Sequence, residues 1–145
     1  MVKVMASGVF DILHVGHLFY LKEAKSYGTE LIVVVARDET VRKLKKRDPI
    51  VPEHLRLEII NSLKPVDIAI LGRTDDFYKT VEEIKPDIIV LGFDQKFDEA
   101  DIIKSCNNRG INVNVIRAHQ LNHDLLATTK IVEKILSKYN VIKNE

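Results

Sequence analysis

Five short apolar runs recur along the chain, each separated from the next by a longer, mixed stretch. They are VKVMA (Val2–Ala6), ELIVVVA (Glu30–Ala36), DIAIL (Asp67–Leu71), DIIVL (Asp87–Leu91) and NVNVI (Asn112–Ile116). The middle three are nearly continuous in Val, Ile and Leu, the pattern of strands covered on both faces in a parallel sheet. In the stretches between them apolar residues return at helical spacing. Leu18, Leu21 and Ala24 make one stripe, with Gly28 as its stop. Leu55, Ile59, Ile60 and Leu63 make a second, after Pro52, a residue suited to a helix's first turn. Ile102, Ile103 and Cys106 make a third before Gly110, and Ile131, Val132, Ile135, Leu136 and Tyr139 make the last. Alternating strands and helices imply right-handed crossovers. The pattern predicts an α/β fold: one doubly wound domain over residues 1–145 with a five-stranded parallel sheet. No Asn-Gly or Asp-Gly pair offers the tight turn of an antiparallel hairpin.

Composition narrows the function without naming it. The chain has 145 residues, 46% hydrophobic and 30% charged, with a net charge of +1. So small a charge gives no global attraction to nucleic acid or to an anionic membrane. No apolar run approaches the length of a membrane span. Met1 leads straight into strand-like sequence, so a cytoplasmic protein without a secretory signal is expected. The single cysteine, Cys106, excludes an intramolecular disulfide and a cysteine-built metal site.

The chemistry concentrates in GVFDILHVGH, Gly8 to His17, where two of the chain's five histidines stand three residues apart. In doubly wound sheets ligands gather at the carboxyl ends of strands, where neighbouring crossovers leave to opposite faces. This segment follows the first strand and enters the first helix. It has neither the Gly-rich dinucleotide fingerprint nor the Walker lysine. A helix start nevertheless offers free backbone N–H groups and partial positive charge. Gly16 allows close approach, and His14 and His17 can each donate to a phosphate oxygen from one side of the first turn. The plainer alternative is that the histidines satisfy local backbone groups. In the strand order 3-2-1-4-5, strands one and four wind apart, and Asp94 then faces the histidine segment across the crevice. Asp94 could equally close a turn after its strand.

The segment resembles the signature of the HxGH nucleotidyltransferases, the cytidylyltransferase-like family: an apolar strand, Gly8-Val9-Phe10-Asp11, then His14-Val15-Gly16-His17. Many members have threonine where Val9 stands. The resemblance extends over essentially the whole chain, through ARDETVRKLKKRDPIVPEHLRLEIINSLKPVDIAILG, LGFDQ (Leu91–Gln95) and ATTK (Ala127–Lys130). It implies a Rossmann-like nucleotidyltransferase fold and transfer of a nucleotidyl group to a phosphate acceptor with release of pyrophosphate. The archaeal flavin branch looks most similar, which implies ATP and FMN as substrates and FAD as product. A CTP-dependent glycerol-3-phosphate enzyme and pantetheine-phosphate or sugar-phosphate adenylyltransferases are the alternatives. A nucleotide sensor without turnover is the non-enzymatic one.

The resemblance also implies roles by position. His14 and His17 stabilise charge on the triphosphate, and Val15 and Gly16 lie against it. Val9 and Phe10 line the nucleotide through backbone groups, and Asp94 binds or lies near the ribose hydroxyls. Lys43 and Lys46, from the basic run VRKLKKR (Val41–Arg47), reach phosphates from a loop able to cover the site. Arg117 lies near the phosphates or base. Thr128 or Thr129 is expected to cap the last helix, and the resemblance turns that helix start toward the triphosphate. His119 is a weaker nucleotide contact, and His119, His123 and Asp124 are a weak metal set. Arg56 is expected to be a charge on a helix face. Phe77, Tyr78, Phe93 and Phe97 could stack on a flavin or simply pack. A divalent metal, magnesium, is expected to arrive with the triphosphate, with Asp11 orienting it or a water. No resident metal site, nucleic acid or membrane partner is expected; the residues do not specify the oligomeric state, and the resemblance alone implies a homodimer.

Overall fold

A computed structural model describes residues 1–123 and 127–139. The chain runs β1 (Lys3–Gly8), α1 (Val15–Ser26), β2 (Glu30–Val35), α2 (Asp38–Lys45), α3 (Glu53–Asn61), β3 (Ile68–Leu71), α4 (Phe77–Ile84), β4 (Ile88–Leu91), α5 (Glu99–Asn108), β5 (Asn114–Arg117) and α6 (Thr128–Lys138). The strands form one parallel sheet in the order β3-β2-β1-β4-β5. The fold expected from the apolar runs is therefore the one observed. β3 and β4 begin one residue later than the runs do, and the preceding Asp67 and Asp87 add side-chain bonds to the main-chain ones they donate to Leu31 and Lys3. Their carboxylates accept the backbone amides of Leu31 (2.7 Å) and Lys3 (2.8 Å) on the neighbouring strands.

Alternate residues of the inner strands supply two cores. Val4 and Ala6 of β1 and Leu31, Val33 and Val35 of β2 pack against Leu21 and Ala24 of α1 and Ile60 of α3. Met5, Ile32 and Val34 face the other way, onto Val81 and Ile84 of α4 and Ile102 and Cys106 of α5. Cys106 is a buried core residue. Gly28 lies beyond the end of α1, where a Cβ would stand 2.6 Å from the Val2 carbonyl oxygen. Close approach of backbone explains it better than a helix stop.

Three expectations change. The basic run is not a loop: α2 extends through Lys45, burying only Val41. In α3 the expected stripe is rotated, since Leu55 and Ile59 are exposed while Arg56 and Ile60 are buried. In α6 no residue is buried, and Val132, Ile135 and Tyr139 are exposed. Among the described residues no helix is long and apolar enough to cross a membrane.

Candidate active site

β1 and β4 are adjacent and pair as far as Ala6 and Val90, beyond which the chain leaves them toward opposite faces. That is the switch point where ligands bind in such sheets. The main-chain groups freed there are taken up by side chains. Tyr20 of α1 places its hydroxyl between the strands, donating to the Val90 carbonyl (2.6 Å) and accepting from the Ser7 amide (3.2 Å). Burial pushes its ionisation well up, so it remains a neutral donor. Gln95 spans the mouth, accepting from the Gly92 amide (3.0 Å) and donating to the Ser7 carbonyl (3.0 Å). Neither residue is conspicuous in the sequence, because their partners are distant along the chain.

At the start of α1 the two histidines cap the helix reciprocally. His14 is the N-cap, and its Nδ1 accepts from the Gly16 amide at 3.1 Å. The Nδ1 of His17 accepts from the His14 amide at 3.2 Å. The rings stack with centroids 3.7 Å apart. In each neutral ring an accepting Nδ1 leaves the proton on Nε2. The helix cap thus fixes the tautomer that turns two N–H donors away from the backbone. The local reading of the pair holds at both Nδ1 atoms, and each Nε2 keeps its proton for another acceptor. Burial, then His14, then Lys45 depress the His17 pKa to about 4, so its ring is neutral at pH 7. Burial also lowers His14, against an opposing pull from Asp94.

Behind them lies Phe10, buried and with a left-handed backbone (φ 54°). Such a conformation costs a bulky residue of order 1–3 kcal/mol and persists where the surroundings enforce it. Its ring meets His17 edge-on, with centroids 5.3 Å apart. It also occupies the space a Cβ on Gly8 would need, at 2.9 Å. Arg56 reinforces the turn. Its fully buried guanidinium donates to the carbonyls of Val9 (2.8 Å), Ala36 (2.6 Å) and Val51 (2.8 Å), and pairs with Asp38 (2.7 Å). Arg56 is thus no helix-face charge. It ties the ends of β1 and β2 to the loop before α3.

Asp11 anchors the same loop. Its carboxylate accepts the amides of Ile50 (3.0 Å) and Val51 (2.8 Å), a loop-anchoring role not expected from the sequence. Lys45, at the end of α2, is the basic residue whose charge reaches His17. Lys43 instead pairs with Glu39 one turn back (3.2 Å), and Lys46 is an exposed left-handed C-cap (φ 56°). Arg117 turns its guanidinium to the carbonyls of Gly92 (3.1 Å), Gln95 (2.7 Å) and Phe97 and to Glu99, which fixes the β4–α5 loop carrying Asp94. His119 is exposed beside α1, 3.1 Å from Glu23, and that carboxylate also accepts its backbone amide.

Thr128 opens α6, but Ala127 is the N-cap and no side chain caps the helix, so neither Thr128 nor Thr129 does so. Ile131 of α6 shares with Leu13, His14, Val15, Leu121, Asn122 and His123 a cleft of about 470 Å³. The start of α6 and the histidine turn thus border one space. Asp124 lies outside the described residues, and among those described no three His, Cys, Asp or Glu side chains gather as metal ligands.

A doubly wound parallel sheet with a histidine-capped helix at its switch point is the arrangement of a nucleotidyltransferase. Residues 5–137 match the cytidylyltransferase-like family, and the chain belongs to it. The FAD synthase of Aciduliprofundum boonei is 56% identical over 139 residues, 95% of this chain and 93% of that protein. That of Thermoplasma acidophilum is 52% identical over 136 residues, 94% and 95% of the two. Among solved structures, one described as a lipopolysaccharide core biosynthesis protein from Thermoplasma volcanium GSS1 is 55% identical. It has a TM-score of 0.82 and covers 84% of this chain and 99% of its own. Pantoate-beta-alanine ligase from Francisella tularensis shares the fold at a TM-score of 0.60 and 16% identity, over 99% of this chain and 72% of its own.

Proposed function

We propose that the protein transfers AMP from ATP to the phosphate of FMN, giving FAD and pyrophosphate. The names of the archaeal relatives at 52% and 56% identity support the acceptor. The reciprocal histidine cap supports the reaction, and it is the observation that carries it. A phosphate oxygen of FMN attacks the α-phosphorus of ATP, a new P–O bond forms, and the bond to the bridging oxygen breaks. The electron pair leaves with pyrophosphate. His14 and His17 donate from Nε2 to oxygens whose charge grows as that bond breaks, aided by the partial positive charge at the start of α1. As neutral donors already fixed in tautomer, they need no reorganisation when the charge appears. Lys45 adds positive potential, and Asp94, within electrostatic reach of His14, would meet the ribose hydroxyls of ATP.

Magnesium enters this reading as part of the ATP substrate. Among the described residues both oxygens of Asp11 accept amides, and no three His, Cys, Asp or Glu side chains gather as metal ligands. A homodimer joined through the exposed Val132 and Ile135 of α6 is part of the same reading, and light scattering across a range of protein concentrations tests it. The deciding experiment incubates the protein with ATP or CTP and a panel of phosphate acceptors, following pyrophosphate and products. FAD from ATP and FMN is expected. Reaction of CTP with glycerol 3-phosphate, and none with FMN, would replace the substrate assignment.

A further inference from the structure

We propose that Phe97 and Phe93, on the loop between β4 and α5, form the platform on which the acceptor's isoalloxazine ring stacks. This rests on FMN being the acceptor. The first support is direction. Attacking and leaving oxygens lie roughly in line on opposite sides of the phosphorus being displaced. The histidines that receive the leaving pyrophosphate sit at the start of α1, on the sheet face covered by α1 and α3. The acceptor then approaches from across the crevice, where the β4–α5 loop descends to the face covered by α4 and α5.

The second support is what that side presents. Phe93 and Phe97 are 42% and 45% exposed, large apolar rings left in water on one short loop. Behind Phe97 runs a continuous pile. Its ring stacks on Phe77 at the start of α4 (centroids 5.7 Å, planes 21° apart), and Phe77 meets Tyr78 edge-on at 5.3 Å. The guanidinium of Arg109 lies 5.2 Å over Tyr78, itself held by Asp76 and Glu82. Phe97 is thus the outer layer of a supported stack whose natural continuation is another flat ring. The loop is also fixed in advance. Gln95 ties it to Ser7 of β1, and Arg117 holds the carbonyls of Gly92, Gln95 and Phe97. A pre-formed aromatic platform binds a planar ring without first ordering a loop. Asp94, between the two phenylalanines, lies within electrostatic reach of His14, so the platform and the phosphate site border one crevice.

The test compares KM for FMN and for ATP in the parent and in Phe97→Leu, Phe93→Leu and the double variant, together with quenching of flavin fluorescence on binding. Leucine keeps the apolar bulk and removes only the ring, and the thermal midpoint checks that each variant folds. Stacking of a heterocycle on an aromatic side chain is worth enough that the double variant should raise KM for FMN about tenfold or more. KM for ATP should stay within about twofold and the fluorescence quenching should weaken. Phe97→Trp should retain the parent's KM for FMN. The platform is overturned if the double variant keeps the parent's KM for FMN, or if KM for ATP rises instead, which would put adenine on these rings. A parent that makes no FAD refutes the acceptor assignment itself, and does so before any variant is compared.

Discussion

At the scale of the residue, the proposed reaction gives His17 a second job beside its cap of α1, one for each nitrogen, and substitutions can separate them. Its Nδ1 completes the cap of α1 and its Nε2 carries the donor. Asparagine places a polar atom near Nδ1, and glutamine places one near Nε2. His17→Asn should keep most of the stability and lose turnover, while His17→Gln should lose the cap and retain part of the turnover. His17→Ala loses both. Cap loss typically costs about 1 kcal/mol. Loss of a donor aimed at transition-state charge costs about a hundred- to a thousandfold in rate. The stability cost is larger than for an ordinary surface residue, because the position is structural as well. Unfolding midpoints and turnover numbers on the same preparations check the split, and an alanine variant with the parent's turnover would leave only the structural job. The depressed pKa adds a pH dependence. An unfolded histidine binds its proton near pH 6.5, whereas folded His17 holds out to about 4. Between those values the unfolded chain carries the extra proton, so this contribution is fully present above pH 6.5 and is lost as pH falls toward 4. The slope is at most about 1.4 kcal/mol per pH unit. Urea titrations at pH 7 and pH 4.5 should show a smaller loss in His17→Gln than in the parent.

At the scale of the element, the site depends on how α1 and α2 are set against the sheet. Tyr20 lies one turn beyond His17 and locks α1 to both parting strands with a single hydroxyl. Tyr20→Phe keeps the ring and strands the Ser7 amide and the Val90 carbonyl. Burying such groups unpaired costs roughly 1–3 kcal/mol, so the urea midpoint should fall at an unchanged m-value, with a loss of about 2 kcal/mol. A variant as stable as the parent would mean that those groups find other partners. In α2 the structure picks out Lys45 from a run whose register is not readable from sequence. Val41, the only buried residue of α2, faces inward, and the charge that reaches His17 is that of Lys45. Lys43 is already paired with Glu39. Lys45→Ala should therefore impair use of ATP several-fold more than Lys43→Ala. Because the contribution is largely coulombic across a wet crevice, the gap should narrow as ionic strength rises toward 1 M. Equal effects at low salt would make the run a solvated surface.

At the scale of the molecule, the sheet was legible because each buried strand is a local apolar run, whereas right-handed crossovers alone allow more than one strand order. The histidine pair was legible because both residues and their glycine fall within four positions. What escaped depends on contacts distant in sequence. Gln95 acquires its role from Ser7, 88 positions away, and Arg56 from Val9, 47 away, which is why a buried arginine read as a surface charge. α2 escaped because DETVRKLK buries a single side chain and shows no apolar stripe. The assembled site should make the whole fold respond to its ligand. In the unfolded chain the start of α1, Lys45 and Asp94 are not held together, so ATP has no comparable site there and binding shifts the equilibrium toward the native state. At a hundred times its dissociation constant ATP should add about 2.7 kcal/mol, a rise in thermal midpoint of roughly 5–11 °C for a domain of this size. Tripolyphosphate engages the histidines and Lys45 without the nucleoside and should give a smaller rise that weakens with salt. CTP should fall between the two if the base is recognised. The ATP rise should shrink in His17→Ala, compared at equal ligand concentration and against that variant's own ligand-free midpoint. Midpoints that do not move at any ATP concentration would show that the crevice does not hold the triphosphate, and equal rises with ATP and tripolyphosphate would show that it holds nothing else.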